Sequence, residues 1–172
     1  MYSSGGANDA QSKSGCIINI TSVAGRLANS PLAPYTASKF ALEALSESLA
    51  QEMKTFNVRV AIVEPGIIDT PKARGLEPPP ETPYAQQRRF AHLFAASLKK
   101  PAQPSLVAEK IRQIIESGTW QFRHPVGPDA EPLLAWRMSM TDEEWVELNA
   151  ADDDTWYRRM DHDFRMAIRP QG

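Results

Sequence analysis

The chain has 172 residues, and 42% of them are hydrophobic, as in one globular domain. Its 19 basic and 21 acidic side chains leave a formal charge of −2, so it lacks the surplus of positive charge with which proteins bind nucleic acid or anionic membranes. With Cys16 as its one cysteine, the chain cannot form an intrachain disulfide or a structural zinc knot. No apolar run reaches the length of a membrane span, and residues 1–13 lack the features of a signal peptide. Together these features favour a cytoplasmic location.

A polar lead-in precedes the first predicted elements. Residues 1–14 are mostly polar or small, and we expect a flexible segment there. Residues 16–21 form a β-branched apolar run, which is typical of a buried strand. From Tyr35 to the vicinity of Asn57, the spacing of apolar residues predicts an amphipathic helix of about five turns. Its stripe of apolar or small residues consists of Ala37, Phe40, Ala41, Ala44, Leu45, Ser48, Leu49 and Met53.

A second strand and a proline-rich segment follow the long helix. Residues 58–63 are predicted to be a strand, which Pro65 and Gly66 end because proline lacks the donor that a sheet requires. A strand, a long helix and another strand predict parallel neighbours, so the fold class is α/β. Residues 71–83 contain five prolines, and we expect a mobile excursion there rather than a packed element.

The last part of the chain is predicted to be mainly helical. Helices are expected over residues 84–99 and 104–117, and a short third strand over residues 120–126. Beyond Pro132 the chain becomes acidic and aromatic. Residues 141–144 have the pattern of a capping box for one helix, and residues 152–154 open another.

Three polar side chains occupy positions from which they can meet. Ser22 follows the first strand at its carboxyl end, which is the edge where parallel sheets bind ligands. Tyr35 and Lys39 are four residues apart at the start of the long helix, so both project from one face. An ammonium beside a phenol stabilises the phenolate, which would let Tyr35 act as a base in alcohol oxidation and as an acid in carbonyl reduction. Ser22 would donate to the substrate oxygen.

Three motifs give the chain a family resemblance. They are Ile18-Asn19-Ile20-Thr21-Ser22-Val23-Ala24-Gly25, Tyr35-Thr36-Ala37-Ser38-Lys39 and Pro65-Gly66-Ile67-Ile68-Asp69-Thr70. In this order, with Tyr35 thirteen residues after Ser22, they resemble the successive motifs of the short-chain dehydrogenase/reductase family. That family has a doubly wound, Rossmann-type parallel sheet.

The resemblance implies hydride transfer between NAD or NADP and a small alcohol or carbonyl substrate. Tyr35 would be the proton donor or acceptor, Lys39 would also hold the nicotinamide ribose, and Ser22 would polarise the carbonyl. Residues 71–100 would include the variable substrate lid, and no metal is implied. The helix over residues 35–56 resembles the family's dimer-forming helix, so a homo-oligomer is expected. The contacts with the nicotinamide would come from Tyr35, Lys39, Pro65, Gly66, Ile68 and Thr70.

The resemblance covers residues 15–126, which match only the later half of that fold. The glycine-rich turn that seats the pyrophosphate is expected on the order of 90 residues upstream of Ser22. We therefore expect a truncated chain, with a partial Rossmann-type domain over residues 15–138 and a helical extension over residues 139–172, or else a partner chain that supplies the missing half. The alternative is a catalytically inactive fragment that acts as an interaction or regulatory subunit.

Simpler structural interpretations of several of these residues stay open. Ser22 can be a helix cap or a loop donor, and Thr70 can cap the turn that follows it. Residues 152–154 are interpreted as a charged helix start, since they lack the spacing of a calcium loop. His92, His124 and His162 share no spacing of metal ligands.

Overall fold

The computed structural model describes residues 14–76, 82–164 and 168–169. The expected lead-in lies outside these residues apart from Ser14, and so does the centre of the predicted excursion, residues 77–81. The described part contains a three-stranded sheet in the order β1-β2-β3. Strand β1 is Gly15–Ile20, β2 is Val58–Pro65 and β3 is Arg123–Val126. Both pairings are parallel, which confirms the predicted α/β class.

Seven α-helices and one 3₁₀ turn, Val23–Gly25, accompany the strands in the described part of the chain. The two helices that pack closest to the sheet are α1, Ala33–Lys54, and α4, Pro104–Ser117, and both were predicted from the apolar pattern. The others are α2 (Pro71–Arg74), α3 (Ala85–Ser97), α5 (Ala130–Met138), α6 (Asp142–Ala150) and α7 (Asp153–Phe164). Among the described residues, no helix combines the length and the apolar character needed to cross a membrane.

Strand β2 lies at the centre of the sheet and is buried from both sides. Because side chains alternate along a strand, Val58 and Val60 pack against Leu49 and Met53 of α1 on one face. Ala61 and Val63 face the other way and pack, with Val126 of β3, against Ile114 of α4. The sheet is thus a middle layer between α1 and α4.

The apolar stripe predicted on α1 faces outward over most of its length. Phe40 and Leu45 are 42% and 58% exposed, and Ala41 and Ala44 are exposed as well. The buried face of α1 consists of Thr36, Glu43, Ser46, Leu49 and Met53. Only the last two belong to the predicted stripe.

Two of the polar residues on the buried face of α1, Ser46 and Glu43, have hydrogen-bond partners on the sheet. The hydroxyl of Ser46 accepts a hydrogen bond from Asn19 of β1 at 2.8 Å and donates to the Leu42 carbonyl at 2.6 Å. Arg123 of β3 donates to Glu43 at 3.2 Å. Hydrogen-bonded partners make the burial of these groups possible, and they leave the apolar stripe to the surface.

The start of the proline-rich segment is packed, so the expectation of a mobile excursion is wrong for residues 71–76. Pro71 opens the short helix α2, where the N–H that proline lacks would have had no helical partner anyway. The Thr70 hydroxyl caps this helix by accepting from the Ala73 N–H at 3.2 Å. Ala73 itself is buried.

Helices α5 to α7 pack around aromatic side chains. Trp145 of α6 packs with Leu133 of α5 and donates from its indole to the Ala28 carbonyl at 3.0 Å. The capping box predicted at residues 141–144 is present, with reciprocal bonds between Thr141 and Glu144. Asp152 accepts from the Thr155 N–H at 2.7 Å at the start of α7, in keeping with the prediction of a charged helix start.

Candidate active site

The residues singled out by the motifs come together at the carboxyl ends of β1 and β2. Ser22 lies in the loop after β1, and Tyr35 and Lys39 lie in the first two turns of α1. Pro65 is the last residue of β2, and Gly66, Ile68 and Thr70 lie in the segment that follows it. One cavity of about 620 Å³ is lined by all seven: Ser22, Tyr35, Lys39, Pro65, Gly66, Ile68 and Thr70. The structure thus brings together every residue that the sequence predicted for the site.

Ser22 bridges the loops after β1 and β2. Its hydroxyl donates to the Pro65 carbonyl at 3.3 Å and accepts from the Ala24 N–H at 3.2 Å, which caps the 3₁₀ turn. The side chain is largely buried yet lines the cavity. The capping role and a role at the cavity are therefore compatible, because the cap uses a lone pair and leaves the O–H able to change its acceptor.

Two lysine ammonium groups lie close to the ring of Tyr35. The Lys39 Nζ is 5.7 Å from the centroid of the tyrosine ring, and it donates to the Ile20 carbonyl at the end of β1 at 3.1 Å. The Lys72 Nζ, from α2, is 5.1 Å from the same centroid. Tyr35 and Lys39 are half-buried, so the positive charge acts on the phenol in a partly desolvated setting.

The loop after β2 is held from several sides. The Gly66 N–H donates to the Val126 carbonyl at 2.9 Å, and the Ile67 N–H donates to the carboxylate of Asp129 at 2.8 Å. Further along, Arg74 makes two hydrogen bonds to Asp69, at 2.5 and 2.7 Å. These bonds hold the pKa of Asp69 below its usual value. The backbone that faces the cavity is therefore fixed by the loop after β3 and by α2.

A buried group of charges lies close to this edge of the sheet. Glu64 of β2 is completely buried, and its nearest guanidinium nitrogens belong to Arg26 at 3.7 Å and Arg123 at 3.9 Å. Within the part of the chain that the structure describes, neither of its carboxylate oxygens has a hydrogen-bond partner. Burial, reinforced by the neighbouring Glu43, raises the pKa of Glu64.

Comparison with known proteins identifies the family. A family model described as short chain dehydrogenase matches residues 7–80. Oxidoreductase BOA17 of Botryotinia fuckeliana is 32% identical over 149 residues, which are 82% of this chain and 54% of that protein. The chain belongs to the short-chain dehydrogenase/reductase family.

Solved structures of the family have the same fold. A short-chain dehydrogenase from Streptomyces avermitilis matches with a TM-score of 0.65 and 29% identity, over 83% of this chain and 53% of that one. A 4-hydroxyisoleucine dehydrogenase solved with NADH matches with a TM-score of 0.54 and 26% identity, over 70% of this chain and 49% of that one. The chain thus spans about half the length of the relatives it matches.

Sequence reasoning from the family's motifs missed three residues that shape this site. Lys72 lines the cavity. It lies within the proline-rich segment, where no sequence pattern indicates that its side chain is close to Tyr35. Asp129 holds the loop after β2 from 62 residues away, so no local pattern could have linked the two. Glu64 did leave a signal, because it is the one acidic residue in a mostly apolar strand. A charge at such a position usually has a structural partner.

Proposed function

We propose that the chain takes part in hydride transfer between NAD or NADP and an alcohol or carbonyl substrate, with Tyr35 as the residue that moves the proton. The observation that carries this proposal is the shared cavity into which Ser22, Tyr35 and Lys39 converge at the end of a parallel sheet. NAD or NADP, when bound, supplies or accepts the hydride. The residues of this chain hold the nicotinamide side, orient the substrate and move the proton.

Lys39 holds its ammonium 5.7 Å from the centroid of the Tyr35 ring and is fixed there by its bond to the Ile20 carbonyl, so positive charge lies close to the group that moves the proton. As a phenolate, Tyr35 takes the proton from the substrate hydroxyl in oxidation. As a phenol, it returns that proton to the substrate oxygen in reduction. Lys72, whose ammonium is 5.1 Å from the centroid of the same ring, adds to the positive potential.

Ser22 is suited to hold the substrate oxygen. Its present hydrogen bond to the Pro65 carbonyl is long, at 3.3 Å, and costs little to exchange for a bond to a substrate oxygen. The cap on Ala24 keeps the side chain in place during that exchange, because it uses the oxygen rather than the proton. A positioned donor of this kind stabilises the charge that develops on the oxygen in the transition state.

The donors around the cavity fit a nicotinamide and its ribose. Lys39 and Tyr35 offer an ammonium and a phenol for ribose hydroxyls, while Pro65 and Ile68 offer apolar surface for a ring. The Thr70 hydroxyl accepts from Ala73, which leaves its own O–H able to donate to a carboxamide. These residues would hold the nicotinamide side of the cofactor.

The extent of the cofactor site and the cellular location remain part of the proposal. The chain spans about half the length of its relatives, and no glycine-rich turn follows a strand in its sequence. We infer that the pyrophosphate side is supplied by further polypeptide, either in a longer form of the protein or in a partner chain. A cytoplasmic location likewise stays a prediction.

A second candidate function is that of an interaction or regulatory subunit. The exposed Phe40 and Leu45 on α1 favour it, because a row of apolar side chains at the surface is typical of a protein interface. In this case the fold would persist without turnover.

The test combines a cofactor titration with turnover by two matched variants. NADH and NADPH are titrated by fluorescence into the protein alone and with a full-length relative added. Tyr35→Phe should lower turnover by at least about a hundredfold and weaken cofactor binding by no more than about tenfold, the loss of one hydrogen bond to the ribose. Tyr84→Phe is the control, since Tyr84 is 62% exposed and lies outside the cavity lining. Near-normal turnover by Tyr35→Phe would reject Tyr35 as the proton carrier, and binding without turnover would favour the interaction subunit.

A further inference from the structure

The side chains of helix α3 lie in two different environments, one against the C-terminal helices and one at the cavity. On one side, Arg89 donates to Asp153 at 2.8 Å, and His92 Nδ1 lies 2.6 Å from the hydroxyl of Tyr157. These polar groups are thus engaged with the C-terminal helices. The side of α3 that faces the cavity is formed by Phe90, Leu93 and Phe94.

Helix α4 is divided in the same way. Its charged residues Glu109, Arg112 and Glu116 form ion pairs with one another at the exposed surface. Its contribution to the cavity is Pro104, Val107, Ala108 and Ile111. Two helices therefore supply a wall of the cavity that carries no polar side chain.

Further apolar lining comes from the 3₁₀ turn and the residues near it, and Asn29 adds a polar side chain to the lining after the turn. The apolar part is formed by Val23, Ala24, Leu27 and Leu133. The two lysines that line the cavity lie elsewhere, since both ammonium groups are within 6 Å of the Tyr35 ring centroid, at 5.7 and 5.1 Å. The charge of the lining is thus concentrated at the reacting end.

A ligand that fills such a cavity must bring little polarity to the helical wall. A charged or hydroxyl group placed against Phe94 or Ile111 would lose its water and find no side-chain partner on α3 or α4. An alkyl or ring system would instead gain by leaving water, roughly in proportion to the apolar area it buries. The volume of about 620 Å³ falls in the range of pockets that enclose whole small ligands.

We propose that the substrate of this site is a lipophilic alcohol or carbonyl compound, an elongated apolar molecule whose one polar group is the group that reacts. The hydroxyl or carbonyl oxygen lies at Ser22 and Tyr35, and the apolar remainder lies against α3 and α4. This inference rests on the function proposed above for the same cavity, and it excludes sugars, polyols and amino acids as the preferred substrates.

The test is binding of a homologous series of straight-chain primary alcohols, from butanol to dodecanol, measured by calorimetry on the full chain without cofactor. Affinity should rise roughly fourfold for each added methylene, the equivalent of about 0.8 kcal/mol, until the cavity is full. A hexitol, which has the carbon number of hexanol but a hydroxyl on every carbon, should bind at least tenfold more weakly than hexanol. Equal affinities along the series, or tighter binding of the hexitol, would overturn the inference.

Two variants on α4 locate the binding. Ile111→Asn should weaken decanol binding at least tenfold, because Ile111 lines the cavity. Ile115→Asn, one turn further along, should leave it unchanged, since Ile115 is 54% exposed and lies outside the lining. Equal losses in both variants would mean adsorption to the surface and would contradict the proposal.

Phe94→Trp provides a measurement that does not depend on introducing a side-chain amide into the interior. The larger ring should narrow the cavity. The chain length at which alcohol affinity stops rising should therefore be shorter than in wild type. An unchanged chain-length profile in a folded Phe94→Trp protein would count against the proposed position of the ligand.

Failure of this inference can be told apart from failure of the proposed function. Chain-length-dependent binding without hydride transfer under any condition would leave the lipophilic site standing and reject the catalytic proposal. Turnover of short polar alcohols, together with a binding affinity that does not change with chain length, would leave the catalytic proposal standing and reject the lipophilic site.

Discussion

The carboxylate of Asp129 lies directly against the backbone of Gly66. A Cβ atom at Gly66 would be 2.3 Å from Oδ1 of Asp129, while Oδ2 accepts the Ile67 N–H at 2.8 Å. The loop after β3 thereby braces the loop after β2, whose backbone faces the cavity. Only a residue without a side chain leaves room for this contact.

Gly66→Ala should consequently destabilise the protein, by about 1 to 3 kcal/mol, because overpacking against a fixed group forces the backbone to move. Gly75→Ala is the matched control, since its nearest neighbour would be a carbonyl oxygen at 3.4 Å, an ordinary contact. Urea unfolding followed by tryptophan fluorescence measures both. A Gly66→Ala protein as stable as the Gly75→Ala protein would show that the loop does not depend on this contact.

The relationship between Asp129 and Gly66 also shows where sequence reasoning ends. The strands, most of the helices and the position of Ser22 and Tyr35 on one cavity follow from local periodicity and from the rule that parallel strands share an edge. The family's motifs supplied the residues after β2. Contacts between segments far apart in the chain leave no such pattern in the sequence. Examples are the bond between Asp129 and Ile67 and the approach of Lys72 to Tyr35.

The outward orientation of the apolar stripe on α1 could not be predicted for a different physical reason. A stripe of apolar and small residues indicates a surface that avoids water, and it does not say whether the chain itself or a partner covers that surface. The structure shows Ser46 and Glu43 on the buried side, each with a partner on the sheet. Without knowledge of those partners, the sequence pattern alone assigns the polar residues to the outer face.

The outward stripe of α1 leads to a prediction about assembly. We expect concentration-dependent self-association through Phe40 and Leu45, because both are large, apolar and exposed. The double variant Phe40→Glu/Leu45→Glu should shift the molecule towards a monomer in sedimentation equilibrium, since it places like charges across a two-fold interface. Leu106→Glu, at a 46% exposed position on α4, should have no such effect. A wild-type protein that stays monomeric at all concentrations would contradict the expectation.

The buried carboxyl of Glu64 predicts a specific pH dependence of stability. Its pKa is raised in the folded chain, so between the ordinary value of 4.5 and the raised value the folded chain holds a proton that the unfolded chain has lost. The contribution of this group to the free energy of unfolding is therefore fully present below about pH 4.5 and is lost as the pH rises through the folded pKa. Each unit by which the pKa is raised corresponds to about 1.4 kcal/mol.

Glu64→Gln cannot ionise, so the stability of this variant relative to wild type should increase as the pH rises from 4 to 8. Urea unfolding at intervals of pH measures the difference. Glu109→Gln should show the opposite sign at lower pH: its stability relative to wild type should fall as the pH rises from about 2 to 4.5, because Arg112 and Gln113 lower the pKa of Glu109 to about 2. A flat difference for Glu64→Gln would mean that the folded chain does not retain the proton.

Arg89 gives the last prediction, because it joins α3 to the C-terminal helices from a buried position. Its side chain is 4% exposed, and it donates to Asp153 at 2.8 Å and to the Ala151 carbonyl at 2.6 Å. Arg89→Lys keeps the charge but cannot direct donors to both acceptors at once, so we expect a loss of about 3 kcal/mol in the free energy of unfolding. Arg112→Lys, in an exposed set of ion pairs, should cost far less than Arg89→Lys, because solvent screens these charges. Equal and small losses for the two variants in urea unfolding would show that the helices pack without the geometry of this guanidinium.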